Sequence, residues 1–255
     1  MLEQIGNLSA DKALYLASDF HLGVPGKDTS DIRESRIVKW LEKCRKDAAA
    51  IILAGDIFDF WFEYKHAIPK GFIRLQGKLA EISDSGIPII FFTGNHDMWR
   101  FDYFSKELGI TIYREPQIVT LNNKRLLIGH GDGLGPGDFS YKILKRIFSS
   151  KISQWLFARF HPNFGIGIAN MWSRKSRITN SDFDDSFDPD HDMLYKYCKA
   201  REEKEHFDYY IFGHRHFPIK TPISDSSWYI NLGEWVHSAQ YVRFDGETAD
   251  LIFLN

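Results

Sequence analysis

The stretch Pro88-Ile-Ile-Phe-Phe-Thr-Gly-Asn-His-Asp97 decides how the chain is read: a short, uniformly apolar run stops at a glycine and is followed by three side chains able to bind metals or move protons. An apolar run this short, with no polar alternation, fits a strand covered on both faces better than an amphipathic surface helix. The same construction recurs. Ala13–Ser18 ends at Asp19, Ala49–Ala54 at Gly55-Asp56, Arg125–Gly129 at His130, and Tyr209–Phe212 at Gly213-His214. Helix-period stretches at Ile32–Lys46, Phe72–Ser85 and Phe101–Leu108 follow the first three runs. Strand alternating with helix predicts an α/β fold with ligands gathered at the carboxyl ends of the strands, where the polar residues sit.

From Lys124 onward the texture changes to hairpins. Trp228–Gly233, Gln240–Phe244 and Asp250–Leu254 read as strands, with Asp245-Gly246 as the turn between the last two. The expectation is a second, mixed sheet packed on the first, in one domain spanning residues 1–255. No internal repeat or low-complexity tract interrupts it.

With 255 residues, 44% hydrophobic and 26% charged, the chain has ordinary globular composition. Its net charge of -2 argues against a nucleic-acid binder. Cys44 and Cys198 lie in unrelated contexts and are expected to be reduced, buried thiols in a reducing compartment. The first 20 residues hold no basic stretch followed by an apolar core, and no apolar run reaches the roughly 18 residues that span a bilayer. A cytosolic protein is expected, with surface attachment to a membrane left open.

Five strand ends carry oxygen and imidazole donors: Asp19 and His21; Asp56; Asn95 and His96; His130; and His214 and His216. A lone strand-end histidine is usually a satisfied core residue, but five such ends in order, most beside a glycine, do not fit core packing. Phosphoester chemistry needs this set. Two divalent ions about 3.5–4 Å apart neutralise the ester's charge, hold a hydroxide and clamp the substrate oxygens. Histidine with carboxylate suits manganese, iron or zinc, and two divalent ions, manganese by preference, are the expected cofactors. The spacings Asp-x-His and His-x-His are expected to put both side chains on one face of an extended segment, and the adjoining glycines to permit sharp turns.

The segment Phe139–Ile178 has eight basic residues, eight aromatics and no acidic residue, and an acidic stretch, Asp182–Asp192, follows it. One reading is a solvated basic helix pair beside an acidic loop. The other is an amphipathic surface that meets anionic lipid.

Taken together, the five motifs resemble the calcineurin-like metallophosphoesterases over about residues 13–245. That resemblance implies a sandwich of two mixed β-sheets flanked by helices. It implies that Asp19, His21, Asp56 and His216 hold one metal, that Asp56, Asn95, His130 and His214 hold the other, and that His96, oriented by Asp97, meets the phosphate or protonates the leaving group. Within the superfamily the chain looks most like the UDP-2,3-diacylglucosamine pyrophosphatase family. Asp138 and Tyr141 follow His130-Gly-Asp132 at that family's spacing for a substrate-contacting pair. A basic, aromatic insertion follows, and Gly213-His-Arg-His-Phe-Pro218 and Leu232-Gly-Glu-Trp235 resemble two late motifs. The implied substrate is a lipid-linked UDP-sugar, split into UMP and a lipid monophosphate for lipid A biosynthesis. The implied site is a helical lid over 139–195 with Arg174, Lys175 and Arg177 among its contacts. The implied location is the cytoplasmic face of the inner membrane, with no nucleic acid or protein partner. Four positions depart from the pattern: His96 replaces an arginine, Asp59 stands where a glutamate is usual, and Arg215 and Phe217 interrupt His-Thr-His-Arg. They bear on the substrate, so a phosphoesterase acting on a nucleotide or small phosphodiester is the alternative, and a non-catalytic scaffold a remote one.

Overall fold

Strands β1 (Ala13–Ala17), β2 (Ala48–Leu53) and β3 (Ile89–Phe92) lie parallel and in sequence order. The structure is a computed structural model that describes residues 6–24, 29–137, 139–169, 171 and 187–254. Within it β4 (Thr111–Tyr113) extends this sheet beyond β3, and a C-terminal hairpin, β10 (Gln240–Phe244) and β11 (Ala249–Phe253), completes the other edge through antiparallel pairing of β10 with β1. The second sheet has the order β5 (Gln117–Leu121), β6 (Lys124–Ile128), β7 (Tyr209–Phe212), β9 (Ser227–Asn231), β8 (Ile219–Ser224).

Side chains alternate across each strand, and this builds the layers. Leu14 and Leu16 of β1, with Ile52 and Ile90, meet Leu126, Ile128, Ile211 and Ile230 of the second sheet in one buried core. Ala13, Tyr15 and Ala17 face the opposite way, onto Ile37, Trp40 and Leu41 of α1 (Ser30–Cys44), beside Leu75 and Leu79 of α2 (Ile73–Asp84) and Phe104 of α3 (Tyr103–Leu108). On the outer face of the second sheet, Leu127, Tyr210 and Phe212 pack with Leu194 and Cys198 of α7 (Met193–Glu202). The layers therefore run helix, sheet, sheet, helix, as expected, and both cysteines are buried free thiols.

One expectation changes. The C-terminal hairpin joins the first sheet, not the second. Val242 and Phe244 face the inter-sheet core while Tyr241 packs on the α1 side, which only a place beside β1 provides. The insertion expected over 139–195 meets α7 at its end, where Leu194 is already core. Among its described residues the helices before α7 are α4 (Phe139–Phe148), α5 (Lys151–Phe157) and α6 over 162–169. No residue of α4 or α5 is buried. They are rooted by aromatic contacts: the Phe157 ring lies 6.0 Å from Phe60, 4.8 Å from Phe62 and 4.7 Å from Trp99, and the Trp99 indole donates to the Phe148 carbonyl at 2.8 Å. Among the described residues no helix is long and apolar enough to cross a membrane.

Candidate metal centre

Loops leaving β1, β2 and β3 of one sheet and β6 and β7 of the other converge on Asp56. Asp19, His21, Asp56 and His216 offer donor atoms that all lie within 4.8 Å of one another. On the other side of Asp56, His130 Nε2 is 3.4 Å from Asp56 Oδ2 and 3.2 Å from Asn95 Oδ1, which in turn lies 3.0 Å from His214 Nδ1. All seven residues expected as ligands are thus brought together, with Asp56 common to both groups.

The two carboxylates show what the cluster can hold. Asp56 Oδ1 accepts the His96 N–H at 2.9 Å and Asp19 Oδ2 accepts the His214 N–H at 3.0 Å. The other oxygens, Asp56 Oδ2 and Asp19 Oδ1, are buried and face imidazole nitrogens, His130 Nε2 at 3.4 Å and His216 Nε2 at 3.2 Å. Buried carboxylates need compensating charge; the imidazoles supply it here, and a cation held by the same nitrogens and oxygens would supply it in their place.

Burial opposes ionisation of Asp19 and Asp56, yet the surrounding imidazoles outweigh it and hold both below the usual carboxylate range. Burial also works against a charged His130, but the Asp56 carboxylate overcomes it and raises His130 to about 10. His214 goes the other way, to about 4, through burial and repulsion from His130. Since the Ala54 carbonyl can only accept, the 2.9 Å contact to His130 Nδ1 fixes a proton there and turns Nε2 toward the cluster.

The backbone is strained at these donors. Asp19, His21, Asp56, His214 and His216 have φ of 54°, 44°, 51°, 68° and 58°. Left-handed non-glycine residues cost of order 1–3 kcal/mol each and persist only where their surroundings hold them. Asp and His tolerate the region better than most. The Asp-x-His and His-x-His segments are therefore tight turns, not the extended pieces expected from their spacing. They are fixed across the sheet by Asp19 N–H to Gly55 O and His21 N–H to Asp56 O, both 3.0 Å. Two of the adjoining glycines serve room rather than turning: a Cβ on Gly94 would sit 2.1 Å from Asp56 Oδ1, and one on Gly213 2.4 Å from Asp19 Oδ2.

His96 stands at the edge of the cluster, its ring 5.1 Å from that of His21. Asp97 does not orient it. The Asp97 carboxylate instead accepts from the backbones of Ile57 and Gly94 and from Arg100, tying the loops after β2 and β3 together. Sequence adjacency placed Asp97 beside His96, but neighbours at a loop point to different sides. The carboxylate facing His96 is Asp59, with its Oδ1 3.4 Å and its backbone oxygen 3.0 Å from His96 Nδ1. Arg33 was also not anticipated. Fully buried, it donates to the carbonyls of His21 and Val24 at 2.9 and 2.8 Å. A basic residue four before Ile37 on the apolar face of α1 was its signal in the sequence. Tyr141 donates to Asp132 at 2.6 Å, and Lys145 pairs with the same carboxylate at 2.8 Å. Asp138, Arg174, Lys175 and Arg177 lie outside the described residues. Beside His130 a pocket is lined by Thr93, Arg114, Asp132 and Lys145.

The chain is 36% identical over 248 residues to the UDP-2,3-diacylglucosamine hydrolase of Porphyromonas gingivalis, covering 92% of this chain and 95% of that protein. It is 28% identical over 221 residues to that of Edwardsiella ictaluri, covering 85% and 84%. A solved phosphoesterase from E. coli aligns over 95% of this chain and 100% of its own, with 15% identity and a TM-score of 0.42. The calcineurin-like phosphoesterase family matches residues 13–218. With that match across most of its length, and the donor set at its strand ends, the chain belongs to the calcineurin-like phosphoesterases.

Proposed function

We propose that this protein hydrolyses the pyrophosphate bond of UDP-2,3-diacylglucosamine to UMP and 2,3-diacylglucosamine 1-phosphate, in lipid A biosynthesis. It is a metal-dependent hydrolase, and the proposed ions are two manganese ions. Asp19, His21, Asp56 and His216 hold one, and Asp56, Asn95, His130 and His214 the other. Bound there, the ions supply a hydroxide nucleophile at neutral pH and offset the charge of the pyrophosphate. The chain's own residues do the rest. His96 donates Nδ1–H to the Asp59 carbonyl, and a second proton, on Nε2, is the one it would hold against the phosphate or give to the leaving oxygen. Lys145 and Arg114 bring positive charge to the pocket beside His130.

One observation carries the choice of a lipid substrate. Helices α4 and α5 are rooted through Phe157 on Phe60, Phe62 and Trp99, in the loops that also carry Asp59 and His96. Away from that root they leave Phe139, Ile143, Ile147, Ile152, Trp155 and Leu156 at least half exposed. A nucleotide needs no such face, whereas two acyl chains do, at about 0.8 kcal/mol per methylene buried. Residues 139–195 are the proposed lid, and Asp138, Tyr141, Arg174, Lys175 and Arg177 the proposed substrate-binding residues. Lys142, Arg146 and Lys151 on the same helices favour an anionic membrane surface, each worth about 1 kcal/mol near it. The test is incubation with UDP-2,3-diacylglucosamine and manganese. Release of UMP that stops in excess chelator supports the assignment, and absence of UMP alongside turnover of simple phosphodiesters would reject it.

A further inference from the structure

The turn Gly213–His216 carries two proposed ligands, and both are strained, with φ of 68° at His214 and 58° at His216. Its inner half is fastened from three sides: Gly213 N–H to His130 O at 2.9 Å, Asn231 Nδ2 to Gly213 O at 2.5 Å, and His214 N–H to Asp19 Oδ2 at 3.0 Å. The outer half is fastened differently. Arg215 Nε donates to Asp192 Oδ2 at 2.9 Å. Asp192 is buried, and its second oxygen accepts the Tyr195 N–H at 2.9 Å as the N-cap of α7. Helix α7 is itself seated on the second sheet through Leu194 and Cys198. One carboxylate therefore serves two purposes, one oxygen starting the helix and the other gripping the arginine that lies between the two histidines. His216 needs this grip most, since its side chain is 43% exposed.

We infer that Arg215 is a positioning residue for the metal centre: through Asp192 it holds the outer half of the His214–His216 turn, so retention of the ion bound by Asp19, His21, Asp56 and His216 depends on a contact to the helix that closes the insertion. The inference rests on the reading of His214 and His216 as ligands.

Partners of metal ligands that lie one shell out are typically worth about 10–100-fold in metal affinity. The experiment measures manganese affinity by competition with a fluorescent chelator, and bound metal by elemental analysis. The proteins are wild type, Arg215→Ala, Arg215→Lys, Asp192→Asn and the Arg215→Ala/Asp192→Asn double variant. Asp192→Asn keeps an oxygen to cap α7, since Asn caps as well as Asp, and replaces the oxygen that accepts from Arg215 by an amide NH2, which cannot accept. The expected result is one ion weakened about 10–100-fold in Arg215→Ala, the other unchanged, a comparable loss in Asp192→Asn, no further loss in the double variant, and partial rescue by lysine. Unchanged affinity for both ions in Asp192→Asn and Arg215→Ala, or losses that add in the double variant, would overturn the inference. A wild type that binds no divalent ion would overturn the ligand assignment beneath it, and the inference with it.

Discussion

Asp19 and Asp56 are held alike by opposite sheets. A backbone N–H of the second sheet's His214 loop fixes one oxygen of Asp19, and a backbone N–H of the His96 loop fixes one oxygen of Asp56, leaving the other oxygen of each toward the histidine rings. Because His214 follows β7 and Asp19 follows β1, docking of the two sheets assembles the cluster. Since Asp56 faces both donor groups, Asp56→Ala is expected to lose both ions together, read as a fall from two bound manganese to fewer than one per chain. A variant retaining two ions would reject Asp56 as the shared ligand.

His96 is expected to act on the chemical step. General acid help is worth about 10²–10⁴-fold, so His96→Ala should lower kcat by about that factor while bound metal stays near wild type. Loss of metal as the main defect would make His96 a ligand instead, in the group it forms with His21 and Asp59.

Much of this was legible in the sequence, for a physical reason. Strands buried on both faces must be apolar throughout, and chemistry at their ends must break that run, so Ala13–Ala17 into Asp19 or Tyr209–Phe212 into His214 reads directly. What stayed hidden depends on three-dimensional pairing. The partner of β10 is chosen by residues far away in the chain. Strand β8 lies at a sheet edge and contains Pro222, which weakens its strand pattern. Left-handed backbone at His21 and His216 leaves no mark in composition, and the direction in which Asp97 points is set by Arg100.

Asp97 and Arg100 predict a stability effect. Both are fully buried and paired at 2.9 Å. Removing one partner of a buried pair costs about 3–5 kcal/mol, and at this size each kcal/mol moves the midpoint by roughly 2–4 °C. Asp97→Ala should therefore melt about 10 °C below wild type in a metal-free thermal scan. A midpoint within a degree or two of wild type would contradict this role.

Metal binding should release protons. In the metal-free protein the Asp56 carboxylate raises His130 to about 10, above its ordinary 6.5, so at pH 7.5 the ring carries a proton that an ion at Nε2 must displace. Affinity should rise with pH across the neutral range, because the proton is bound below about 10 and competes more as pH falls. Calorimetry in buffers of different ionisation enthalpy should register about one proton released from this site. Zero release at pH 7.5 would contradict the assignment of His130 Nε2 as a ligand atom.

The central claim is that the site takes a lipid through the apolar face of α4 and α5. Its most direct measurement is kcat/KM for a series with one UDP-sugar and progressively shorter acyl chains. If the chains lie in an apolar slot at about 0.8 kcal/mol per buried methylene, kcat/KM should fall by up to about fourfold for each methylene removed, and fall much further when both chains are absent. Equal kcat/KM for the diacylated substrate and UDP-glucosamine would contradict the account and leave a phosphoesterase that ignores the lipid.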